Sequence, residues 1–354
     1  MSKKIRVGVI GAGSISGFHL NAYANHPEVE LAAICDLNEE RARAKAQKYN
    51  ISNVYTDYNK LLEDGSIDAV SICTWNNTHA PISIAALHAG KNVLCEKPLC
   101  KTVEEAREVE AAVKKSGKKL LVGYVRRFAS NTRIVKEFIE NGDLGEIYYA
   151  KASSIRRFGN PGGWFADLER SGGGPLIDIG VHVIDLCWYL MGRPKVKSIT
   201  GNTYRKLGNR SHIENLAHYK AADYDKNVNN VEDMANALIR FQNGASLLVD
   251  ASFTLHAKKN EATVKLYGDK GGVEIEPELA FVTEKYNTIL NIDPQIDNKG
   301  LDVVKAFQGE INHFVDMCFG RKEAISPIED GVEMMKMLCG IYESAEKETE
   351  IAFD

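Results

Sequence analysis

Three side chains able to do acid–base chemistry recur at one-turn spacing near the middle of the chain. Asp178, His182 and Asp185 lie in the run that follows Pro175. At about 100° per residue in a helix, these three side chains fall within roughly 60° of one another. A carboxylate one turn from an imidazole can orient the ring, and imidazole is well suited to moving protons near neutral pH. A solvated polar face has the same spacing, so the helix alone leaves both interpretations open.

A glycine-rich turn near the N-terminus predicts a dinucleotide site. The apolar run 5–10 is typical of a buried strand, and Gly11 and Gly13 follow it before a helical run. In that context Gly11 allows a tight turn, and Gly13 lets the backbone approach a pyrophosphate at the helix N-terminus. The third position of the pattern is Ser16, which is small enough for close packing of the helix on the strand.

Asp36 ends the next predicted strand, at the distance past the glycines that is typical of a ribose-binding acid. Its carboxylate would accept hydrogen bonds from the adenosine ribose hydroxyls and would repel a 2′-phosphate. The sequence therefore favours NAD over NADP, although Arg41 and Arg43 on the next helix could weaken that preference. The alternative is that Asp36 caps this helix.

The remaining pattern predicts two domains. Alternating strands and helices up to residue 123 indicate an α/β Rossmann domain with a doubly wound parallel sheet, assigned to residues 1–123. Residues 124–354 are expected to form an α+β domain with a mostly antiparallel sheet, and helices at 302–319 and 329–346 are expected to pack on it. The strands predicted for this sheet are 146–157, 195–204, 234–242, 245–255, 262–267 and 272–275.

Composition excludes several classes of partner. The net charge of the 354 residues is −4, which gives no electrostatic case for nucleic acid or an anionic membrane. No apolar stretch approaches the roughly 18 residues that span a bilayer. The seven cysteines are scattered, as expected for reduced thiols in a cytoplasm. His212 and His218 are only a weak metal signal, so no metal is expected; their long loop, 207–230, is predicted to cover the site or to meet a neighbouring subunit.

At Glu96-Lys97-Pro98 the sequence resembles the Gfo/Idh/MocA family, named for glucose–fructose oxidoreductase, inositol dehydrogenase and MocA-like proteins. The matching segments span nearly the whole chain. They are 11–15 with His19, Asp36, Thr74 with Asn76 and His79, 86–93, 96–98, 123–128, 142–147, 171–174, 178–185, 232–233 and 267–272. Where the family often has proline after the threonine, this chain has Trp75, which changes the wall expected beside the nicotinamide.

The resemblance implies roles for the chemical side chains. Lys97 resembles the lysine that contacts the substrate hydroxyl and the nicotinamide region, where an ammonium can stabilise negative charge on the substrate oxygen. Asp178 and His182 resemble the aspartate and histidine that complete the catalytic set, with His182 as general base. Asp185 resembles a ligand of a substrate hydroxyl. The Lys97–Pro98 bond is expected to be cis.

The predicted binding residues fall into two groups. The cofactor-binding residues are Gly11, Gly13, Ser14, Ile15, Asp36, Thr74, Trp75, Asn76, His79, Glu96 and Lys97. The substrate-binding residues are Lys97, Arg127, Arg156, Trp164, Asp185 and His182. Arg156 and Trp164 belong to a glycine-rich loop whose aromatic faces and arginine donors suit a polyol. An ordinary loop with an aromatic anchor would have the same composition.

The function that the resemblance implies is an NAD-dependent dehydrogenase acting on CH–OH groups. It would oxidise a secondary hydroxyl of a sugar, glycoside or cyclitol by reversible hydride transfer to nicotinamide. One alternative is a cycle in which tightly bound NAD carries out glycoside 3-oxidation or oxidoreduction between sugars. A second alternative is a non-catalytic sensor of dinucleotide or sugar. The resemblance also implies that the C-terminal antiparallel sheet is open-faced and that the chain forms a homo-oligomer, a dimer or tetramer, through this sheet.

Overall fold

A computed structural model describes residues 4–215, 219–221, 223–296 and 298–353. The chain divides into two compact units, one formed by Met1–Phe128 with Val303–Met335 and the other by Ala129–Asp302 with Lys336–Asp354. This division differs from the expected boundary after residue 123. The difference arises because a late segment of the chain returns to the first unit.

The first unit contains a six-stranded parallel sheet. Its strands are β1 (Ile5–Ile10), β2 (Val29–Cys35), β3 (Asn53–Tyr55), β4 (Ala69–Ile72), β5 (Asn92–Glu96) and β6 (Leu120–Gly123). The strand order is β3-β2-β1-β4-β5-β6, and every neighbouring pair is parallel. The predicted doubly wound sheet is therefore confirmed. The order reverses direction at β1 and β4, so the crevice at their carboxyl ends is where such sheets bind ligands.

Five helices follow the strands of this sheet in turn. They are α1 (Ser16–Ala24), α2 (Glu39–Tyr49), α3 (Tyr58–Glu63), α4 (Asn76–His88) and α5 (Val103–Ser116). The start of α5 shows why the sequence forms a helix there: Thr102 Oγ1 accepts a hydrogen bond from the Glu105 amide at 3.1 Å, and the Glu105 carboxylate accepts one from the Lys101 amide at 2.8 Å. Both bonds satisfy amides that a helix N-terminus leaves unpaired.

The second unit contains a nine-stranded sheet. Its strands are β7 (Ile147–Ile155), β8 (Val196–Tyr204), β9 (Met234–Phe241), β10 (Ser246–Ser252), β11 (Glu261–Gly268), β12 (Gly271–Glu276), β13 (Ala280–Lys285), β14 (Thr288–Ile292) and β15 (Ile351–Ala352). The order is β14-β13-β12-β11-β7-β10-β9-β8-β15. The β7–β10 pair is parallel and the other neighbouring pairs are antiparallel, which confirms the predicted α+β unit.

Three helices accompany this sheet: α6 (Ser130–Glu140), α7 (Leu168–Ser171) and α8 (Val181–Leu190). A wide turn, Leu176–Gly180, leads directly into α8 and has the hydrogen bonding of a π-helix. The amide of Val181 donates to the carbonyl of Leu176, five residues earlier. The sequence predicted a regular helix over this stretch, so the wide turn is a feature that the pattern did not show.

The two late helices are α9 (Val303–Cys318) and α10 (Ile328–Lys347). Ile311, Phe314 and Val315 of α9 belong to the hydrophobic core that also contains β1 and α1. The expectation that both helices pack on the second domain is therefore wrong for α9, because its apolar face is buried in the first unit. No helix in the part of the chain that the structure describes is long and apolar enough to cross a membrane.

Candidate active site

The glycine turn after β1 leaves room for an anion. Gly11 has a φ of +97°, and a Cβ there would lie 2.4 Å from the carbonyl oxygen of Cys73, so only glycine fits. A Cβ on Gly13 would meet nothing within 4 Å. Helix α1 begins at Ser16, and its N-cap residue Ile15 makes no side-chain cap hydrogen bond. Open space beside a helix N-terminus fits a pyrophosphate.

Asp36 joins the end of β2 to this turn. Its Oδ2 accepts a hydrogen bond from the Ala12 amide at 2.7 Å, and its Oδ1 accepts one from the Asn38 amide at 2.8 Å. Helix α2 is capped by Asn38, whose Oδ1 accepts from the Arg41 amide at 2.9 Å, so Asp36 is not the cap of that helix. The guanidinium of Arg41 lies 3.8 Å from Asp36 Oδ2. A carboxylate at this place beside the glycine turn suits a ribose.

The turn after β4 carries four predicted cofactor residues. Trp75 is 37% exposed and Asn76 is buried, while the hydroxyl of Thr78 lies 2.7 Å from Thr74 Oγ1. The side chain of His79 is buried: Nδ1 lies 2.6 Å from the carbonyl oxygen of Pro98 and Nε2 lies 3.2 Å from that of Thr74. Burial lowers the pKa of His79. This imidazole therefore ties the turns after β4 and β5 together, and its role toward a cofactor stays a prediction.

Glu96 and Lys97 end β5. Glu96 is 5% exposed, and its Oε1 accepts from His19 Nε2 at 2.8 Å while its Oε2 accepts from the Lys97 amide at 3.2 Å. Burial opposes ionisation, but the hydrogen bond from His19 holds the pKa of Glu96 below its usual range. Lys97 is half-buried, and the Lys97–Pro98 bond is cis as predicted. Glu96 thus supports the lysine turn, and its role toward a cofactor stays a prediction.

A second acid, beside Glu96, was not predicted. Glu310 of α9 is fully buried, and neither of its carboxylate oxygens has a hydrogen-bond partner among the residues that the structure describes. Burial and the nearby charge of Glu96 raise the pKa of Glu310 well above its usual range. His19, Glu96 and Glu310 are the one group of metal-ligand type found among the described residues. The sequence signal was an acidic residue within the apolar face of an amphipathic helix.

The wide turn and α8 carry the predicted catalytic stripe. Pro175 precedes the turn with a φ of −62°, which agrees with its predicted place at the start of a helix. Asp178 and His182 are both half-buried. Asp185 is 1% exposed, so the stripe changes from an accessible end to an enclosed one along the helix. π-type turns inside helices are frequent at functional sites.

Arg127 does not have the surroundings expected of a substrate ligand. Its guanidinium is fully buried, with Nη1 2.5 Å from Asp330 Oδ2 and 2.7 Å from the carbonyl oxygen of Ile325. The same group lies 5.0 Å from the ring centre of Tyr124. The side chain joins the end of the parallel sheet to the segment 325–330, and its predicted role toward a substrate stays a prediction.

The glycine-rich loop of the second unit packs against part of the long loop 207–230. Trp164 stacks on Phe165 with ring centres 3.9 Å apart, and both are half-buried, while Arg156 is exposed. A Cβ on Gly162 would lie 2.1 Å from the ring of Tyr224. The predicted roles of these residues toward a polyol stay predictions. His218 lies outside the described residues.

Comparison with known proteins gives consistent matches along the chain. The Gfo/Idh/MocA model described as "Oxidoreductase family, NAD-binding Rossmann fold" matches residues 5–124, and the one described as "Oxidoreductase family, C-terminal alpha/beta domain" matches residues 136–353. The D-glucoside 3-dehydrogenase of Escherichia coli (strain K12) is 35% identical over 355 residues, covering 99% of this chain and 98% of that protein.

Two further relatives are named for substrates with different ring systems. The myo-inositol 2-dehydrogenase of Thermotoga maritima is 30% identical and covers 76% of this chain and 74% of its own length. A solved structure of levoglucosan dehydrogenase in complex with NADH and levoglucosan has a TM-score of 0.85 and 25% identity, with 99% of both chains covered.

Proposed function

Because the chain belongs to the Gfo/Idh/MocA oxidoreductase family, we propose that it is an NAD-dependent dehydrogenase that oxidises a secondary hydroxyl of a glucoside. The observation that carries the proposal is the pairing of two sets of residues in one chain. One is a cofactor turn with Gly11, Gly13 and Asp36. The other is a helix on which His182 follows Asp178 by one turn. Free sugars and cyclitols are the other substrates that this chemistry would accept.

The residues divide the reaction between them. When bound, NAD supplies the nicotinamide carbon that accepts a hydride. His182 takes the proton of the substrate hydroxyl while the carbon loses its hydride, which leaves a ketone. Asp178 orients the imidazole and stabilises the imidazolium that forms. The ammonium of Lys97 stabilises the negative charge that develops on the substrate oxygen as that proton leaves and before the hydride has been transferred.

The binding residues complete this account. Asp36 accepts hydrogen bonds from the adenosine ribose, and the turn at Gly13 receives the pyrophosphate. Asp185 and Trp164 hold the sugar by hydrogen bonding and by ring stacking. Because Asp36 carries its charge where a 2′-phosphate would lie, NAD is the preferred cofactor.

The protein is further proposed to assemble as a homo-oligomer through the nine-stranded sheet and to act in the cytoplasm. The outer hairpin of that sheet leaves Ile289 71% exposed and Tyr286 85% exposed, which supports a surface available for pairing. All seven cysteines are free thiols, which supports a reducing compartment. Light scattering on the purified protein gives the number of subunits; a monomer at all concentrations would contradict the assembly.

The function is tested by mixing the purified protein with NAD and a panel of glucosides, free sugars and cyclitols. Absorbance of reduced nicotinamide is expected to grow fastest with glucosides. An increase in this absorbance with cyclitols alone would reassign the substrate class. Tight NAD binding with no increase in absorbance for any substrate would contradict a dehydrogenase that exchanges its cofactor. It would favour a bound-cofactor cycle or a sensor.

A further inference from the structure

A buried carboxylate lies at the entrance to the wide turn. Glu232 is 3% exposed, and its two oxygens accept three hydrogen bonds. The Gly174 amide donates to Oε2 at 2.8 Å, the Leu176 amide donates to Oε1 at 3.2 Å, and the Tyr342 hydroxyl donates to Oε1 at 2.8 Å. Two of these donors belong to the backbone that starts the turn, and the third comes from the late part of α10. Glu232 therefore fixes the turn to a distant helix.

The glycines before the turn allow this arrangement. A Cβ on Gly173 would lie 2.1 Å from the Tyr342 hydroxyl oxygen, and a Cβ on Gly174 would lie 2.4 Å from the backbone carbonyl oxygen of Glu232. Any larger residue at either position would push the backbone away from its two partners. The run Ser171-Gly172-Gly173-Gly174 thus has a physical reason at its last two positions, which is close approach to Glu232 and Tyr342.

The residues that Glu232 holds are those that set the direction of Asp178. The Asp178 amide donates to the carbonyl of Gly174 at 3.0 Å, and the Val181 amide donates to the carbonyl of Leu176. Gly174 and Leu176 are therefore each bonded on one side to Glu232 and on the other to the turn that carries Asp178. A shift of either residue would be passed to Asp178 and, through α8, to His182.

We propose that Glu232, together with Tyr342, is a positioning residue that fixes the wide turn so that Asp178 and His182 meet the substrate hydroxyl. This inference rests on the proposed function, because the direction of Asp178 matters only if the helix acts on a substrate. The role needs an acceptor at both side-chain oxygens. Glutamine keeps the size but offers an NH₂ group at one of the two places, so at least one of the three donors loses its partner.

The test compares Glu232→Gln and Tyr342→Phe with Glu343→Gln. Glu343 is the matched control because it neighbours Tyr342 on α10 but pairs with Lys347 at the surface. Hydrogen exchange at the Gly174 and Leu176 amides is expected to speed up in Glu232→Gln and to stay unchanged in the control. This readout needs no activity, so it still tests the contacts if the proposed function fails.

Steady-state kinetics then test the positioning role. A misplacement of a catalytic group by about 1 Å costs on the order of 100-fold in rate, so kcat of Glu232→Gln should fall by roughly 10- to 100-fold while the Kd for NAD stays unchanged. The kcat of Tyr342→Phe should fall less, since two of the three hydrogen-bond donors to Glu232 remain. The pH dependence of kcat/KM should shift in Glu232→Gln, and a deuterium isotope effect on the transferred hydrogen should increase as the chemical step becomes slower.

Three outcomes would overturn the inference. The first is unchanged amide exchange at Gly174 and Leu176 in Glu232→Gln. The second is a wild-type kcat and pH profile in Glu232→Gln, even if those amides exchange faster. The third is a loss of kcat that is fully explained by a smaller fraction of folded protein in the variant. That result would mean that Glu232 stabilises the unit without positioning Asp178. Wild-type protein with no dehydrogenase activity would instead contradict the proposed function, and the exchange result would be judged separately.

Discussion

Lys97 lies in a turn that several buried groups hold in place. Its backbone amide donates to Glu96, which is itself held by His19, and the carbonyl of the next residue, Pro98, contacts His79. These contacts fix the backbone from which the Lys97 side chain extends, so less of the site has to reorganise when charge develops on a substrate oxygen. Preorganised charge of this kind is often the largest contribution to catalysis.

Replacing Lys97 with alanine should remove that charge and leave the cofactor turn intact. We expect kcat to fall by about 100-fold or more, with the Kd for NAD changed little. Measuring NAD affinity by calorimetry and turnover by absorbance separates the two effects. Lys114→Ala is the control, because Lys114 pairs with Glu110 on the surface of α5. Turnover of Lys97→Ala at the wild-type rate would remove Lys97 from the mechanism.

Asp36 should set the choice between the two dinucleotides. In Asp36→Ser the repulsion of a 2′-phosphate is gone and Arg41, 3.8 Å from Asp36 in the wild type, faces that phosphate instead. The ratio of kcat/KM for NAD to that for NADP is expected to fall by about tenfold or more, equivalent to about 1.4 kcal/mol. Arg43→Ala serves as the comparison, since Arg43 pairs with Glu39. An unchanged ratio would mean that Asp36 does not determine cofactor choice.

The sequence predicted part of the residue-level site and missed the rest for physical reasons. Residue type and spacing placed Gly11, Asp36 and Lys97 at strand ends, because strand patterns fix where each turn occurs. Arg127 was assigned a substrate-binding role and His79 a cofactor-binding role, and the structure adds that both side chains are buried, Arg127 against residues far away in the chain. A sequence shows that a side chain can carry charge, but enclosure depends on which distant segments pack around it.

At the scale of elements, regular strands and helices followed from the pattern and the irregular ones did not. The strand β3 has three residues, and the hairpin of β13 and β14 exposes most of its side chains, so neither shows a clear alternation. The wide turn before α8 depends on two glycines approaching Glu232 and Tyr342. Local propensity carries no sign of that contact, since both partners are distant in sequence.

Helix α9 brings an unpartnered acid into the core of the first unit, and this gives a prediction about stability. The folded protein holds the Glu310 proton to a higher pH than the unfolded chain does, because its pKa is raised. The free energy of unfolding contributed by this group is therefore greatest at acidic pH and is lost as the pH rises toward the raised pKa. Glutamine has the same shape and does not titrate.

Glu310→Gln should thus be at least as stable as the wild type, with an advantage that grows as the pH rises. An advantage of about 1–3 kcal/mol is expected at mildly alkaline pH, the usual cost of a buried unsatisfied group. Urea unfolding across a pH series measures it, with Glu343→Gln as the exposed control. His19 and Glu96 face Glu310 and are present in both proteins, so their contribution largely cancels. A wild type that is more stable at every pH would show that Glu310 has a stabilising partner, such as a bound cation.

At the scale of the whole molecule, each unit is built from two stretches that are separate in the sequence. Residues 303–335 return to the unit that begins at the N-terminus, and α10 starts in one unit and ends in the other. The predicted boundary after residue 123 could not show this, because an amphipathic helix does not reveal which of two cores its apolar face joins. The class of each sheet was predictable, since strand spacing and the presence or absence of intervening helices differ between the two halves.

The fold that this chain shares with its relatives supports the class of reaction. One fold can host many functions, so the reaction itself has to be tested separately from the fold. The central claim is that a hydride moves from a carbon of a glucoside to NAD. It is tested most directly with a glucoside deuterated at its ring carbons, with mass analysis of the nicotinamide product after reaction. Our account predicts reduced nicotinamide that carries one deuterium and a keto-glycoside formed in equal amount. Reduced nicotinamide without deuterium, or none at all while NAD and the glucoside both bind, would contradict it.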